Sequence, residues 1–211
     1  MTFPVEITDD EKQYARLRHR TEPGEVRQGL IQLGRVLGLR TADVMDERFG
    51  SLQNVLCVVI LRGGALLYPG FTTTFPQADF CVLGMRRTPG EGSVKSEYMT
   101  AVPRDSYQAT VYIDCVSATG GTLLAARELI AGTCHTGHEV AAVVSGAAAG
   151  TEVLQAAGVN VVGFSIYEEL NGQVVMPDMG ALDAGDLFSG VAPPTSIKDY
   201  HGDAEDPRSG R

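Results

Sequence analysis

Between residues 111 and 131 the chain sets a carboxylate beside a run of small, hydroxyl-bearing residues. Val111-Tyr-Ile113 is apolar and strand-like, and Asp114 follows it. Cys115-Val-Ser-Ala-Thr-Gly-Gly-Thr122 then leads into Leu123-Leu-Ala-Ala-Arg-Glu-Leu-Ile130, a helix-forming stretch. Ala118-Thr-Gly-Gly-Thr122 is therefore expected at a helix N-terminus. Small residues there let the backbone wrap an anion, and the free amides and helix dipole favour negative charge. Thr119 and Thr122 add hydroxyl donors. Asp114 is expected at the carboxyl end of a strand, where open α/β sheets place their ligands. A monophosphate on a sugar suits this loop, with the carboxylate reaching the ribose hydroxyls. The plainer alternative is an ordinary strand–turn–helix with a glycine-rich turn. The Gly-Lys-Ser/Thr ending of a triphosphate-binding loop is absent, as is the Gly-x-Gly-x-x-Gly spacing of a dinucleotide fold.

Other residues invite chemistry less directly. Arg62-Gly-Gly64 follows the apolar run Val55–Leu61, so a guanidinium and free amides converge there. Arginine suits phosphate because its planar fork donates in pairs. The competing reading is a salt bridge at a strand end. Arg86-Arg87 closes a second run, Phe80–Met85, and could equally be a solvated turn. Asp183 and Asp186 lie in a Gly/Ala-rich segment, where acidic residues are commonly turn formers. His135 and His138 are spaced for a metal, but Gly132, Thr133 and Gly137 read as a helix-to-strand turn and no third ligand is near in sequence.

These residues need elements to position them. Five runs read as strands: Val55–Leu61, Phe80–Met85, Thr110–Ile113, Val140–Ser145 and Val159–Ile166. Helical stretches at Leu123–Ala131 and Gly150–Ala157 separate the later ones. That alternation means βαβ units and a parallel sheet, an α/β fold. Residues 8–48 read as helical and polar, with Thr21 as a cap and Val26, Leu30, Leu33 and Leu37 on one face. Gly29, Gly34 and Gly38 oppose that assignment, since glycine costs about 1 kcal/mol against alanine inside a helix. Residues 88–106 show no apolar period and read as one long loop, of the kind that is functional or disordered. The tail, 191–211, is polar, carries Pro193-Pro194 and reads as disordered.

Composition bounds the rest. The chain has 211 residues, 44% of them hydrophobic, enough for one sizeable core. Its net charge of −9 offers no electrostatic footprint for nucleic acid. No apolar run approaches the roughly 20 residues of a membrane span, and the N-terminus does not read as a signal peptide. Cys57, Cys81, Cys115 and Cys134 form no Cys-x-x-Cys pair. They read as small buried hydrophobes in a reducing cytoplasm rather than as a disulfide framework.

Taken together, four blocks resemble the uracil phosphoribosyltransferase family, within the type I phosphoribosyltransferase fold. The family's Asp-Pro-Met-Leu-Ala-Thr-Gly-Gly-Ser is matched by Asp114-Cys-Val-Ser-Ala-Thr-Gly-Gly-Thr122, with Cys115 in place of proline. Val59-Ile-Leu-Arg-Gly-Gly64 resembles Pro-Ile-Leu-Arg-Ala-Gly, and Leu83-Gly-Met-Arg-Arg87 resembles Gly-Met-Tyr-Arg. Pro177-Asp-Met-Gly-Ala-Leu-Asp-Ala-Gly-Asp186 resembles Pro-Gly-Leu-Gly-Asp-Ala-Gly-Asp, the base-binding hood. The resemblance covers roughly residues 12–190. It implies one domain, 1–190, with a helical part at 1–50, a mobile loop at 88–106 and a hood at 167–190.

The resemblance also implies roles. Asp114 and Arg87 would be catalytic. Phosphoribosyl diphosphate would be held by Arg62, Gly63, Gly64, Arg87, Asp114, Cys115, Val116, Ser117, Ala118, Thr119, Gly120, Gly121, Thr122 and Asp183. The base would meet Val175, Gly180, Asp183 and Ala184. Mg²⁺ would arrive on the diphosphate, with no protein ligand of its own. The partners implied are small-molecule substrates and further copies of the chain, as a homodimer or larger homo-oligomer, without nucleic acid or membrane.

Departures from the family concentrate at the base end. Tyr167-Glu-Glu-Leu-Asn171 replaces Asp-x-Gly-Leu-Asn, and the family's later Gly-Tyr-Ile step lacks its tyrosine here. Ala181-Leu182 is inserted between Gly180 and Asp183, and Glu97-Tyr-Met-Thr-Ala-Val-Pro103 lacks the family's lysine. Three readings follow: transfer of 5-phosphoribose to uracil giving UMP, the same transfer to another heterocycle, or a non-catalytic sensor of the sugar diphosphate.

Overall fold

The computed structural model describes residues 23–87 and 94–167. The helical expectation for 8–22, the cap at Thr21, the hood and the tail lie outside them. Pro23–Phe49 forms α1, Val55–Leu61 β1, and Gly63–Leu66 one turn of 3₁₀ helix. Tyr68–Thr74 forms α2, Asp79–Arg87 β2, Val94–Met99 β3 and Ser106–Ser117 β4. Gly121–Ala131 forms α3, His135–Ala147 β5, Ala148–Ala156 α4 and Asn160–Tyr167 β6. The six strands make one sheet in the order β3-β2-β1-β4-β5-β6. All neighbours are parallel except β2 and β3.

Helices cover both faces of this sheet. Val55, Cys57 and Val59 face α1, where Leu30, Leu33 and Leu37 are buried. Leu56, Val58 and Ile60 face the other way, against Leu123, Ala126 and Ile130 of α3 and Leu154 of α4. A strand buried on both faces reads as a continuous apolar run, which is how β1 appears in the sequence.

The helix of residues 23–49 holds although Gly34 lies inside it, and packing gives the reason. A side chain at Gly34 would lie 2.6 Å from the Leu67 carbonyl oxygen, and one at Gly70 would strike the backbone of Gly34 and Arg35. The backbones of α1 and α2 meet, so glycine here permits contact rather than marking a break.

Three expectations are corrected. Residues 88–106 are not one unstructured loop, because Val94–Met99 pairs antiparallel with β2 through Leu83↔Met99 and Arg87↔Val94. This edge strand is largely exposed, so it carries no apolar period. The strand seen in sequence as Thr110–Ile113 runs from Ser106 to Ser117. Its polar ends are strand because backbone pairing with β5 continues there, through Asp114↔Val143, Val116↔Ser145 and Ser117↔Gly146. His135 and His138 lie within β5 rather than in a turn. Residues three apart in a strand face opposite sides, and His138 stacks on Phe49 with centroids 4.0 Å apart.

No helix among the described residues is long and apolar enough to cross a membrane. Gly70→Ala is expected to destabilise the protein by about 1–3 kcal/mol, as overpacking does. An unchanged denaturation midpoint would contradict the backbone contact between α1 and α2.

Candidate active site

Because β2, β1 and β4 are parallel, their C-terminal ends share one edge of the sheet. The chain order reverses there, with β2 on one side of β1 and β4 on the other. Open α/β sheets bind ligands in the crevice at this reversal. Pairing of β1 with β4 runs as far as Val59↔Ile113, after which β4 continues beside β5 alone. The turn Arg62–Gly64 and the segment Asp114–Gly121 therefore flank the same gap.

Contacts across the gap are at backbone range. A Cβ at Gly63 would lie 2.6 Å from Asp114 Oδ1 and 3.3 Å from the Cys115 Cβ. A Cβ at Gly64 would strike the Ile113 carbonyl oxygen. The Cys115 thiol lies 3.2 Å from the Gly63 carbonyl oxygen, to which it donates. The Cys115 amide donates to Asp114 Oδ1 at 2.7 Å. Such a bond to an ionised acceptor is stronger than a neutral one and fixes the carboxylate's orientation. Asp114 is thus not the last residue of its strand, at the carboxyl end expected from sequence, but three residues inside it and half-buried.

Next to Asp114, Ala118–Thr122 lies at a helix N-terminus, where the sequence reading put it. Ser117 and Ala118 are buried, Thr119 is exposed, and Gly120 takes φ +75° at the N-cap of α3. Glycine reaches that conformation without the steric cost other residues incur. Gly120 has no side chain with which to cap, so the first-turn amides of α3 are not capped from that position. The Thr119 hydroxyl accepts from the Gly121 amide at 3.4 Å. Thr122 lies in the first turn, and Val116 is partly buried against the α1 side of the core.

Of the remaining residues expected at the site, Arg62 is exposed and caps the 3₁₀ turn. Arg87 ends β2, so its backbone lies on the ligand edge. Arg86, expected beside it in a turn, is in the strand and pairs with Glu97 of β3 at 3.2 Å. Val175, Gly180, Asp183 and Ala184 lie outside the described residues.

Sequence reading missed the support behind the loop. Glu139 is buried and accepts from the Tyr112 hydroxyl at 3.0 Å and from Arg127 Nε at 2.7 Å. Burial, with the Glu139 charge, pushes the Tyr112 phenol well above its ordinary range. The Glu139 hydrogen bond raises Arg127 in turn, stabilising its charged form. This network ties α3 to β4 and β5 two residues before Asp114. Its only signal in the sequence is an acidic residue immediately before the apolar run Val140–Val144.

Comparison with known proteins agrees with the geometry. The uracil phosphoribosyltransferase family model matches residues 25–189. The chain belongs to the uracil phosphoribosyltransferase family. A uracil phosphoribosyltransferase of Streptomyces griseus subsp. griseus is 42% identical over 146 residues, 65% of this chain and 66% of that one. One from Pyrobaculum arsenaticum is 30% identical over 208 residues, 87% of this chain and 98% of that one. The solved AQ2163 protein of Aquifex aeolicus shares the fold, with a TM-score of 0.75 at 20% identity, covering 91% of this chain and 99% of that one. The family resemblance read from the four motifs is borne out.

A phosphoribosyltransferase needs a fixed acceptor for the ribose hydroxyls, and Asp114 is the carboxylate at the gap. Asp114→Asn is expected to lower kcat/KM for phosphoribosyl diphosphate by about 10- to 100-fold, the worth of one charged hydrogen bond. Its melting temperature should be that of the parent. Full activity in this variant would remove Asp114 from ribose binding.

Proposed function

We propose that this phosphoribosyltransferase moves 5-phosphoribose from 5-phospho-α-D-ribose 1-diphosphate to uracil, giving UMP and diphosphate. The observation that carries the reading is the approach of Gly63 to Asp114 at the strand-order reversal. The Arg62–Gly64 turn and the Asp114 carboxylate lie on the two sides of one gap, which supports a diphosphate on one side and the ribose on the other. The family membership of the chain makes it a pentosyltransferase.

In this reading the amides of Ala118–Thr122 and the α3 dipole take the 5′-phosphate. Asp114 takes the ribose hydroxyls, which sets C1 against the base. Arg62, with the amides of Gly63 and Gly64, takes the diphosphate, and Arg87 reaches it from β2. The C1–O bond breaks with its electron pair leaving on the diphosphate. The C1–N bond to uracil forms as that nitrogen loses its proton. Guanidinium groups stabilise the departing charge without reorganising. Val175, Gly180, Asp183 and Ala184 are proposed to meet the base, and Asp183 also the ribosyl group.

The donor set suits a Mg²⁺ that arrives with the substrate. Among the described residues no cluster of three or more His, Cys, Asp or Glu could hold a metal. Magnesium is commonly bound by one or two carboxylates and substrate phosphates rather than by a protein cage. An ion carried by the diphosphate, with no protein ligand of its own, would neutralise charge on the leaving group. A cytoplasmic homo-oligomer is proposed by analogy with the family. The four cysteines, all buried and unbridged, fit a reducing compartment.

A second reading keeps the chemistry and changes the acceptor. It rests on Ala181-Leu182, inserted in the hood. A site that pairs a base edge rejects analogues leaving its polar groups unpaired. Diphosphate release with a panel of bases separates the readings. Turnover with uracil alone is the expected result. Release with a different base and none with uracil would support the second reading, and the absence of release with every base would make the protein a sensor.

A further inference from the structure

One residue that none of the site motifs contains lies directly behind the phosphate loop. Gly150, in the first turn of α4, is buried. A Cβ there would strike the Ala118 carbonyl oxygen and lie 2.9 Å from the Gly120 amide nitrogen. The contact is reciprocal, since a Cβ at Gly120 would lie 3.0 Å from the Gly150 carbonyl oxygen and 3.3 Å from Leu154 Cγ. The first turn of α4 is itself held, because the buried Thr151 hydroxyl donates to the Ala147 carbonyl at 3.0 Å.

The consequence follows from peptide geometry. The Ala118–Thr119 bond is trans, so its carbonyl and the following N–H point in opposite directions. The carbonyl points at Gly150, so the Thr119 N–H points away from α4. Thr119 is the exposed member of the loop, on the side left open to a ligand. Contact with α4 therefore sets which way an anion-binding amide faces.

We propose that Gly150 is a positioning residue for the 5′-phosphate, acting through the Ala118–Gly120 backbone. A methyl group at this position displaces the Ala118 carbonyl and rotates the Thr119 amide with it. The binding site loses a donor while Asp114 and Arg62, which the Gly150 Cβ does not meet, are untouched. The inference rests on the phosphoribosyl reading above.

Gly150→Ala is expected to raise the KM for phosphoribosyl diphosphate about tenfold or more, with kcat and the KM for uracil within about threefold of the parent. Gly137→Ala is the control. Its Cβ would press on the Gln108 carbonyl oxygen at 2.8 Å, at the opposite edge of the sheet. That variant should melt earlier with the KM for phosphoribosyl diphosphate unchanged. An unaltered KM in Gly150→Ala overturns the proposal, as does a fall in kcat with both KM values unchanged. If Gly150→Ala does not fold, Leu154→Ala decides, because it removes the side chain behind Gly120 without a clash. A rise in KM for phosphoribosyl diphosphate of about threefold or more supports the proposal, and no rise overturns it. Calorimetric titration with ribose 5-phosphate separates the two levels. A parent protein that does not bind it sinks the phosphoribosyl reading itself. Binding of equal strength in parent and variant sinks only the role of Gly150.

Discussion

The site depends on how closely two backbone segments approach where the sheet reverses its strand order. Parallel strands must be joined by crossovers, so β1 and β4 become neighbours only after β2 and β3 have been placed on the far side. Their C-terminal ends then diverge, and the gap between them is the proposed ligand crevice. Its width is set by the absence of side chains at Gly63 and Gly64, which lets the turn after β1 rest against Asp114 and Ile113. Larger residues at either position would hold the diphosphate side away from the ribose side. The proposed site is thus first a packing result, and its charged groups sit within a spacing that glycine provides.

A second layer keeps this spacing rigid. Tyr112, Glu139 and Arg127 join β4, β5 and α3 by hydrogen bonds in a largely dry setting. A buried carboxylate is costly unless paired and hydrogen-bonded, and here both conditions are met. The helix whose N-terminus would receive phosphate is therefore anchored by its own middle. Its amides and the Asp114 carboxylate are referred to the same strand.

How much of this was legible in the sequence varied with the physics of each element. β1 was read end to end because both its faces are buried, which leaves an unbroken apolar run. β4 and β5 were read too short, since Ser106, Asp114 and His135 extend them by backbone pairing that no side-chain pattern reports. β3 was invisible, because an exposed edge strand has no buried face to create a period. Within the site, Asp114 through Thr122 was legible because its chemistry is local in the chain. The meeting of Gly63 with Asp114 was not, since it joins residues distant in sequence. Gly34 misled for a related reason: a glycine that breaks a helix and one that admits a second helix look the same in a linear string.

Cys115 has a consequence for the time behaviour of the site. The family pattern places proline after the aspartate, and a proline ring fixes φ covalently and holds the preceding residue extended. Here the same region is held by the Cys115 amide on Asp114 and the thiol on Gly63. A ring cannot open, whereas a hydrogen bond, worth about 1.5–3 kcal/mol net even to a charged group, is a population. Backbone order beside the carboxylate therefore rests here on the β4–β5 ladder and on these two hydrogen bonds, all of which weaken on heating, where a proline would fix one dihedral covalently.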